Sequence, residues 1–352
     1  MVKRKNSIAL DKTKPIFIGI DVHKKSWSLC FIHQDVIIGR FRIEAKLETL
    51  KKLIDRYKGH EIMSVYEAGF SGFYLHTKLT EIGVKNIITP TNKIPVVVGD
   101  KVKTDRIDSK KLATFLSKGL LIGNYIPSKE LIDLRQLLRT REQIKRKRIR
   151  VINQLKMLLM QHGIIFDGIV GIPKYLCEQI LRLELPPMTT LSIRTHIYEL
   201  EFFNATLKEY ENIYKDGPVD EVLRKTYIFL LSVPGIGPLA ATALTYEIGD
   251  WNRFPNEKAI AAFVGLTPCE FSSGEHNHKG PITGQGNQWL RSLLIEASWR
   301  LISKDPEMYS FYERLKIKKG SKKAIVAVAR KLICRLYAMV KKEEVYKFKK
   351  AA

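Results

Sequence analysis

A chain of 352 residues is too long for one ordinary domain and long enough for two or three with cores of their own. Its formal net charge of +24 points to a polyanionic partner, because phosphate neutralisation rewards such an excess, and nucleic acid fits better than an anionic membrane. Four widely separated cysteines exclude a disulfide framework and any zinc-type spacing.

Cys30, Cys177, Cys269 and Cys334 in that arrangement suit a reducing compartment. The first residues, MVKRKNSIALDKTKP, lack the apolar core of a secretory signal. No apolar run reaches the roughly 18 residues of a membrane span. The expectation is a cytoplasmic protein.

Residues 16–21, IFIGID, form a short β-branched run that ends in Asp21. Residues 26–34 and 36–44 are rich in strand formers and separated by little more than Asp35, which predicts a three-strand antiparallel meander. A helix follows over 47–57 with Leu47, Leu50, Leu53 and Ile54 inward. Then come a buried strand at 62–66 leading into Glu67, a helix at 72–82 and a strand at 85–89 stopped by Pro90. The stretch 99–120, GDKVKTDRIDSKKLATFLSKGL, reads as another helix. Strands alternating with helices after a meander predict a mixed α/β sheet flanked by helices, the element order of ribonuclease-H-like nuclease domains.

In that last helix Asp105, Asp108, Leu112 and Phe115 share one face, while Lys101, Lys103, Arg106, Lys110, Lys111 and Lys118 crowd around them. Taken alone, the pattern also describes an amphipathic helix whose acids favour its N-terminal dipole. Asp21 could likewise be a turn residue and Glu67 a surface strand end. In a ribonuclease-H-like order, however, the first and fourth strands are neighbours, so the four carboxylates converge at one sheet end. Such a cluster repels itself unless cations are bound. Two Mg²⁺ ions, or Mn²⁺ in their place, are the usual solution for phosphodiester chemistry.

Residues 128–162 form a long helix without Gly or Pro. A seven-residue seam starts at Leu131, Leu134 and Leu138, ends at Ile152, Leu155 and Leu159, and has Arg141, Lys145 and Arg148 at the positions between. Residues 163–187, with three prolines, read as a connector. Ile193, Leu200, Phe203, Leu207, Tyr210 and Tyr214 mark a second helix, so the two predict an antiparallel coiled-coil arm. The dense run RTREQIKRKRIR, with Arg141, Lys145, Arg146, Lys147 and Arg148, is a candidate nucleic-acid or self-association surface, or a solvated face. Beyond Gly217 the chain reads as mostly helical. SVPGIGPLAATALTYEIG resembles a helix-hairpin-helix turn in which Gly235 and Gly237 let backbone amides approach a DNA phosphate. The middle of 261–291 reads as a long polar loop with Ser272, Ser273, His276, His278 and Lys279. The two histidines are too few for a metal site. Helices over 288–302 and 322–341 complete the region.

IGID with Asp21, YEAGFSGFY with Glu67, and KTDRIDSKKLA with Asp105 and Asp108 resemble the Asp-Glu-Asp-Asp tetrad of one class of insertion-sequence transposases. This is the insertion sequence 110 family, related to the Piv DNA invertase. PGIG, AAFVGLTP, SSG and GPITGQGNQWLR are similar to its C-terminal signatures, so the likeness covers nearly the whole chain. The resemblance implies a RuvC-like catalytic domain at 1–126, a coiled-coil arm with connector at 127–217, and a transposase C-terminal domain at 218–352. It implies a site-specific DNA recombinase guided by a structured RNA, bound to donor and target DNA, acting as a dimer to tetramer in the nucleoid. Asp21, Glu67, Asp105 and Asp108 would hold the metal, and Ser273 would be the nucleophile, with Ser272 the lesser candidate. Gly284 departs from the family's pattern, which carries Lys there; Lys279 or Arg291 would then supply the phosphate contact. A hydrolytic junction nuclease and a non-catalytic nucleic-acid-binding relative are the alternatives.

Overall fold

The computed structural model describes residues 10–95, 105–165, 171–273 and 276–348, with the side chains of 105–106 and 270–279 outside that description. Lys101 and Lys103 therefore lie outside it, as do the side chains of Asp105, Ser272, Ser273, His276, His278 and Lys279. The chain divides into two compact units, 1–126 and 127–352.

The first unit is built on one mixed sheet. Strands β1 (Ile16–Val22), β2 (Ser26–His33) and β3 (Val36–Glu44) are followed by α1 (Leu47–Ile54), β4 (Ile62–Glu67), α2 (Tyr74–Glu81), β5 (Lys85–Thr89) and α3 (Asp105–Ser117). The sheet order is β3-β2-β1-β4-β5. The β1–β2 and β2–β3 pairs are antiparallel, and the β1–β4 and β4–β5 pairs are parallel. The meander is thus as the residue pattern predicts. Its second connection is a two-residue turn with φ positive at Gln34 and Asp35, the geometry whose twist matches that of the flanking strands.

Alternation along β1 divides its side chains between two layers. Ile16, Ile18 and Ile20 pack with Leu50, Leu53, Leu75 and Leu79 of α1 and α2. Phe17 faces the other way, onto Leu112, Ala113 and Leu116 of α3. Between Phe17 and Asp21 on that face lies Gly19, and α3 rests directly on it. A Cβ at Gly19 would stand 2.1 Å from the Ser109 carbonyl oxygen and 2.4 Å from the Ala113 nitrogen. At its far end α3 is tied down by Lys118, whose Nζ lies 2.6 Å from Asp35 Oδ2 in the β2–β3 turn.

The second unit contains α4 (Lys129–Gln161), α5 (Lys174–Leu181), α6 (Pro187–Lys215), α7 (Glu221–Leu231), α8 (Pro238–Ile248) and α9 (Glu257–Phe263). A hairpin of β6 (Pro268–Ser273) and β7 (His276–Ile282) follows, then α10 (Gln288–Ile302), α11 (Pro306–Lys319) and α12 (Ser321–Lys342). No helix among the described residues is long and apolar enough to cross a membrane.

Four sequence expectations are corrected here. The connector at 163–187 contains α5, whose Leu176, Cys177 and Ile180 are buried. The presumed loop in 261–291 is an antiparallel hairpin. A further helix, α11, precedes the last one. The long arm helix does not carry one seam but serves two cores. Leu131 and Leu138 join the large core of the second unit, whereas Val151, Ile152, Leu155 and Leu159 pack with α5 and α6.

The Gly19 contact yields a direct test. In Gly19→Ala the new methyl meets backbone atoms that cannot rotate away, so α3 must lift. Thermal unfolding should show a loss of about 1–3 kcal/mol, the cost of overpacking. An unchanged transition would mean that α3 is not seated on β1 in this way.

Candidate active site

The carboxylates are placed by register rather than by sequence proximity. In the parallel β1–β4 pair, Gly19 stands beside Val65 and Ile20 beside Tyr66, so Asp21 and Glu67 are the next residues along adjacent strands. Both lie on the α3 face, since Val65 and Met63 pack with Leu112 and Leu116 while Tyr66 packs with α1 and α2. Moving along β1 from Phe17 through Gly19 to Asp21 moves along α3 towards its N-terminus, where Asp105 and Asp108 stand. The backbone therefore brings all four positions to one end of the sheet.

Asp21 is 20% exposed at its side chain, and His23 Nε2 lies 3.1 Å from its Oδ2. Glu67 Oε2 accepts a long 3.4 Å bond from Thr91 Oγ1, and its strand is extended by the Ala68 amide donating to Thr89 O at 2.8 Å. Asp108 is half-buried in the first turns of α3. Among the described residues no three His, Cys, Asp or Glu side chains are close enough together to hold an ion. The donor chemistry nonetheless fits a hard divalent cation, since carboxylate oxygens suit Mg²⁺ or Mn²⁺. His23 is absent from the sequence expectations. The signal was its i, i+2 spacing from Asp21, which in an extended chain places both side chains on one side.

The serine segment belongs to the second unit. In the hairpin, Ser272 is opposite Asn277 and Ser273 opposite His276, so Ser273 is the last strand residue before the turn. The return loop is rigidly braced. Gly286, at φ +82°, has no room for a side chain, because a Cβ would lie 2.6 Å from Gly265 N and 2.7 Å from two carbonyl oxygens. Arg291 Nη1 donates to Gly265 O at 3.1 Å and to Gln285 O at 3.2 Å. Its guanidinium thus holds this loop, a task the sequence did not foretell. Gly284 has φ +72°, a left-handed conformation in which lysine would be strained. That is a local reason for glycine at this position.

Behind the loop sits a buried carboxylate. Glu247, at the end of α8, is 3% exposed. It accepts from Arg139 Nε at 2.6 Å and Nη2 at 2.8 Å, and from Asn287 Nδ2 at 3.2 Å. Asn287 in turn caps α10, its Oδ1 accepting from the amides of Trp289 and Leu290.

The basic run is less uniform than its composition implies. Arg141 is a correction: its side chain is 8% exposed and turns inward, with Nη2 3.6 Å from Glu211 Oε1. Burial removes it from any phosphate-facing surface. Arg148 donates to Asn204 Oδ1 at 2.5 Å, and Arg146 to Glu142 Oε1 at 3.2 Å. Lys145 is half-buried and Lys147 exposed. In the turn between α7 and α8, Gly235 has φ +94° and packs so closely on α10 that a Cβ would be 2.7 Å from Ala297 O. Gly237 precedes Pro238 at the start of α8 and faces open space.

Known proteins carry the same two halves. Residues 18–164 match the family model of DEDD transposases of the IS110 type, and residues 228–313 match the family described as transposase IS116/IS110/IS902. The transposase for insertion sequence element IS1111A of Coxiella burnetii is 24% identical over 341 residues, covering 94% of this chain and 91% of its own. A probable family 20 transposase of Pseudomonas aeruginosa is 26% identical, covering 94% and 98%. A putative transposase of Sinorhizobium fredii, y4qE, is 27% identical, covering 80% and 71%. With both family models matched in order and relatives aligned nearly end to end, the chain belongs to the IS110 family of transposases.

Proposed function

We propose that this transposase is a site-specific DNA recombinase with a ribonuclease-H-like catalytic domain, a helical arm and a serine-bearing C-terminal domain. The observation that carries the reading is the register of β1, β4 and α3, which leads Asp21, Glu67, Asp105 and Asp108 to one sheet end. These four residues would hold Mg²⁺ or Mn²⁺. The metal, when bound, supplies charge neutralisation at the scissile phosphate.

The protein's own groups do the rest. Asp21 and Glu67 are fixed by strand pairing and Asp108 by the seating of α3, so little reorganisation is needed when a phosphate arrives. Ser273 Oγ gives up its proton and forms a bond to phosphorus. The bond from phosphorus to one sugar oxygen breaks, and that oxygen takes a proton. The phosphoserine link keeps the bond energy for rejoining. The bracing of 283–287 by Arg291, Gly286 and Asn287 supports this role, because a nucleophile on a hairpin needs a stiff base. The exposed positions Arg146 and Lys147, with Lys279, would meet backbone phosphate, and Gly237 would let the α8 amides approach another.

The partners are donor and target DNA, a structured guide RNA and further copies of the chain. The outer face of α6 supports self-association: Met188, Leu191, Tyr198 and Phe202 are exposed at near-heptad spacing. The protein is expected to co-purify with one structured RNA species and to sediment as a dimer or larger. Random nucleic-acid fragments on a monomer would refute both.

Chemistry is tested by trapping. Incubated with Mg²⁺ and DNA carrying the element's ends, the protein should form a covalent adduct that is lost in Ser273→Ala, while Asp108→Asn should abolish cleavage altogether. Free cleaved ends that are indifferent to Ser273 would establish a hydrolytic nuclease instead. No cleavage in any form would establish a binding protein.

Gly237→Ala separates binding from folding. Open space around Gly237 means that the variant should unfold like the wild type, while loss of close backbone approach should weaken DNA binding by about 1 kcal/mol, one hydrogen bond's worth. Equal affinity, measured at matched salt, would remove Gly237 from the interface.

A further inference from the structure

Two aromatic rings stand in solvent where the chain leaves the Glu67 end of β4. Phe70 is 65% exposed and Tyr74 63% exposed, whereas Trp27, Phe31 and Tyr66 of the same unit are buried. Phe70 follows Glu67 by three residues, so along the chain it can be no farther than about 11 Å from it. Tyr74 opens α2.

The segment that carries them is held firmly. The Tyr66 hydroxyl, wholly buried under it, donates to Gly72 O at 2.9 Å and accepts from the His76 amide at 3.2 Å. Burial pushes that hydroxyl's pKa up to about 12, so it remains a donor at any working pH. The Gly72 amide closes the turn onto Gly69 O at 3.1 Å, and Phe73 packs into the core as an anchor. The surroundings are open: a Cβ at Gly72 would meet nothing within 4 Å, and one at Gly69 only the Glu67 carbonyl at 3.9 Å. Rigid backbone, exposed rings and small neighbours together describe a surface kept bare for something flat.

We infer that Phe70, with Tyr74 at the start of α2, is a stacking platform for an unpaired nucleobase beside the phosphate held at this sheet end. The inference rests on the recombinase reading for its location. A protein partner suits the patch poorly, because Glu67, Ala68, Gly69, Ser71 and Gly72 around Phe70 supply almost no further apolar area. A base needs only the ring face, and a chain of net charge +24 draws nucleic acid to its surface. Strand exchange requires bases to leave the duplex next to the cut, and a fixed ring there would hold one that has left.

The test uses the full chain and a DNA duplex with a short single-stranded gap containing 2-aminopurine, in Ca²⁺. Wild type should quench the probe on binding. Phe70→Ala and Phe70→Leu should lose the quench and bind gapped DNA about 5- to 150-fold more weakly, with affinity for fully paired duplex held within about twofold. Phe70→Trp should restore both, and Tyr74→Ala should give a partial loss. Because Phe70 is exposed, circular dichroism should show every variant folded. Wild-type quench and affinity in Phe70→Leu would overturn the platform, since leucine keeps apolar bulk without a π face. That result, alongside cleavage still lost in Asp108→Asn, would leave the carboxylate reading standing. Quenching that depends on Phe70 in a protein without metal-dependent cleavage would keep the platform and sink that reading instead.

Discussion

The contact between Gly19 and the backbone of α3 fixes the sheet end at which the candidate site lies. A helix usually stands off a sheet by the length of two side chains. Here the Ser109 carbonyl and the Ala113 amide lie where a Cβ would be, and a helix lowered so far has little freedom to slide. Since a strand advances about 3.3 Å per residue and a helix about 1.5 Å, two residues of β1 beyond Gly19 correspond to roughly one helical turn of α3. Asp21 therefore comes level with the turn that carries Asp105 and Asp108. The Lys118–Asp35 pair, half exposed and worth little in energy, sets direction more than stability.

Much of this unit was legible in the residues. Strand-forming runs broken by Asp35, the Glu67–Gly72 segment and Pro90 gave the strand order, and Asp21 and Glu67 were recognisable as strand ends. What could not be read was the register of a parallel pair formed by strands some forty residues apart, because no local signal encodes it. Asp35 marked the place of the second turn but not its type. Gln34 and Asp35 both have positive φ and neither is glycine, so the usual marker of such a turn is missing.

In the second unit the misread connector has a simple cause, which is that punctuation residues have more than one use. Pro173 and Pro186–Pro187 suggested a connector, yet Pro173 precedes α5 and Pro187 begins α6, where a missing amide costs nothing. The 268–282 hairpin has serines, histidines, glycine and asparagine where alternating apolar residues would announce strands. Its strands therefore carry no alternation that the residue pattern could announce. Arg141 was read both at a seam position and, from the density of its charged neighbours, as part of a nucleic-acid or self-association surface. Its place on the helix, one turn after Leu138 and facing α6, turns it inward, as the seam position predicts.

Glu247 shows how the arm and the hairpin are joined within the second unit. Arg135 donates to the carbonyls of Tyr246 and Glu247 at 2.7 and 3.1 Å, satisfying groups that the end of α8 leaves without helical partners. One turn further along α4, Arg139 grips the Glu247 carboxylate with both nitrogens. The same carboxylate holds the Asn287 amide, and Asn287 caps the helix that follows β7. A carboxylate this buried is tolerable only because both oxygens are satisfied, so Arg139 and Asn287 are bound to it as a set. Arg139, Glu247 and Asn287 thus tie α4, the end of α8 and the start of α10 together through one set of hydrogen bonds.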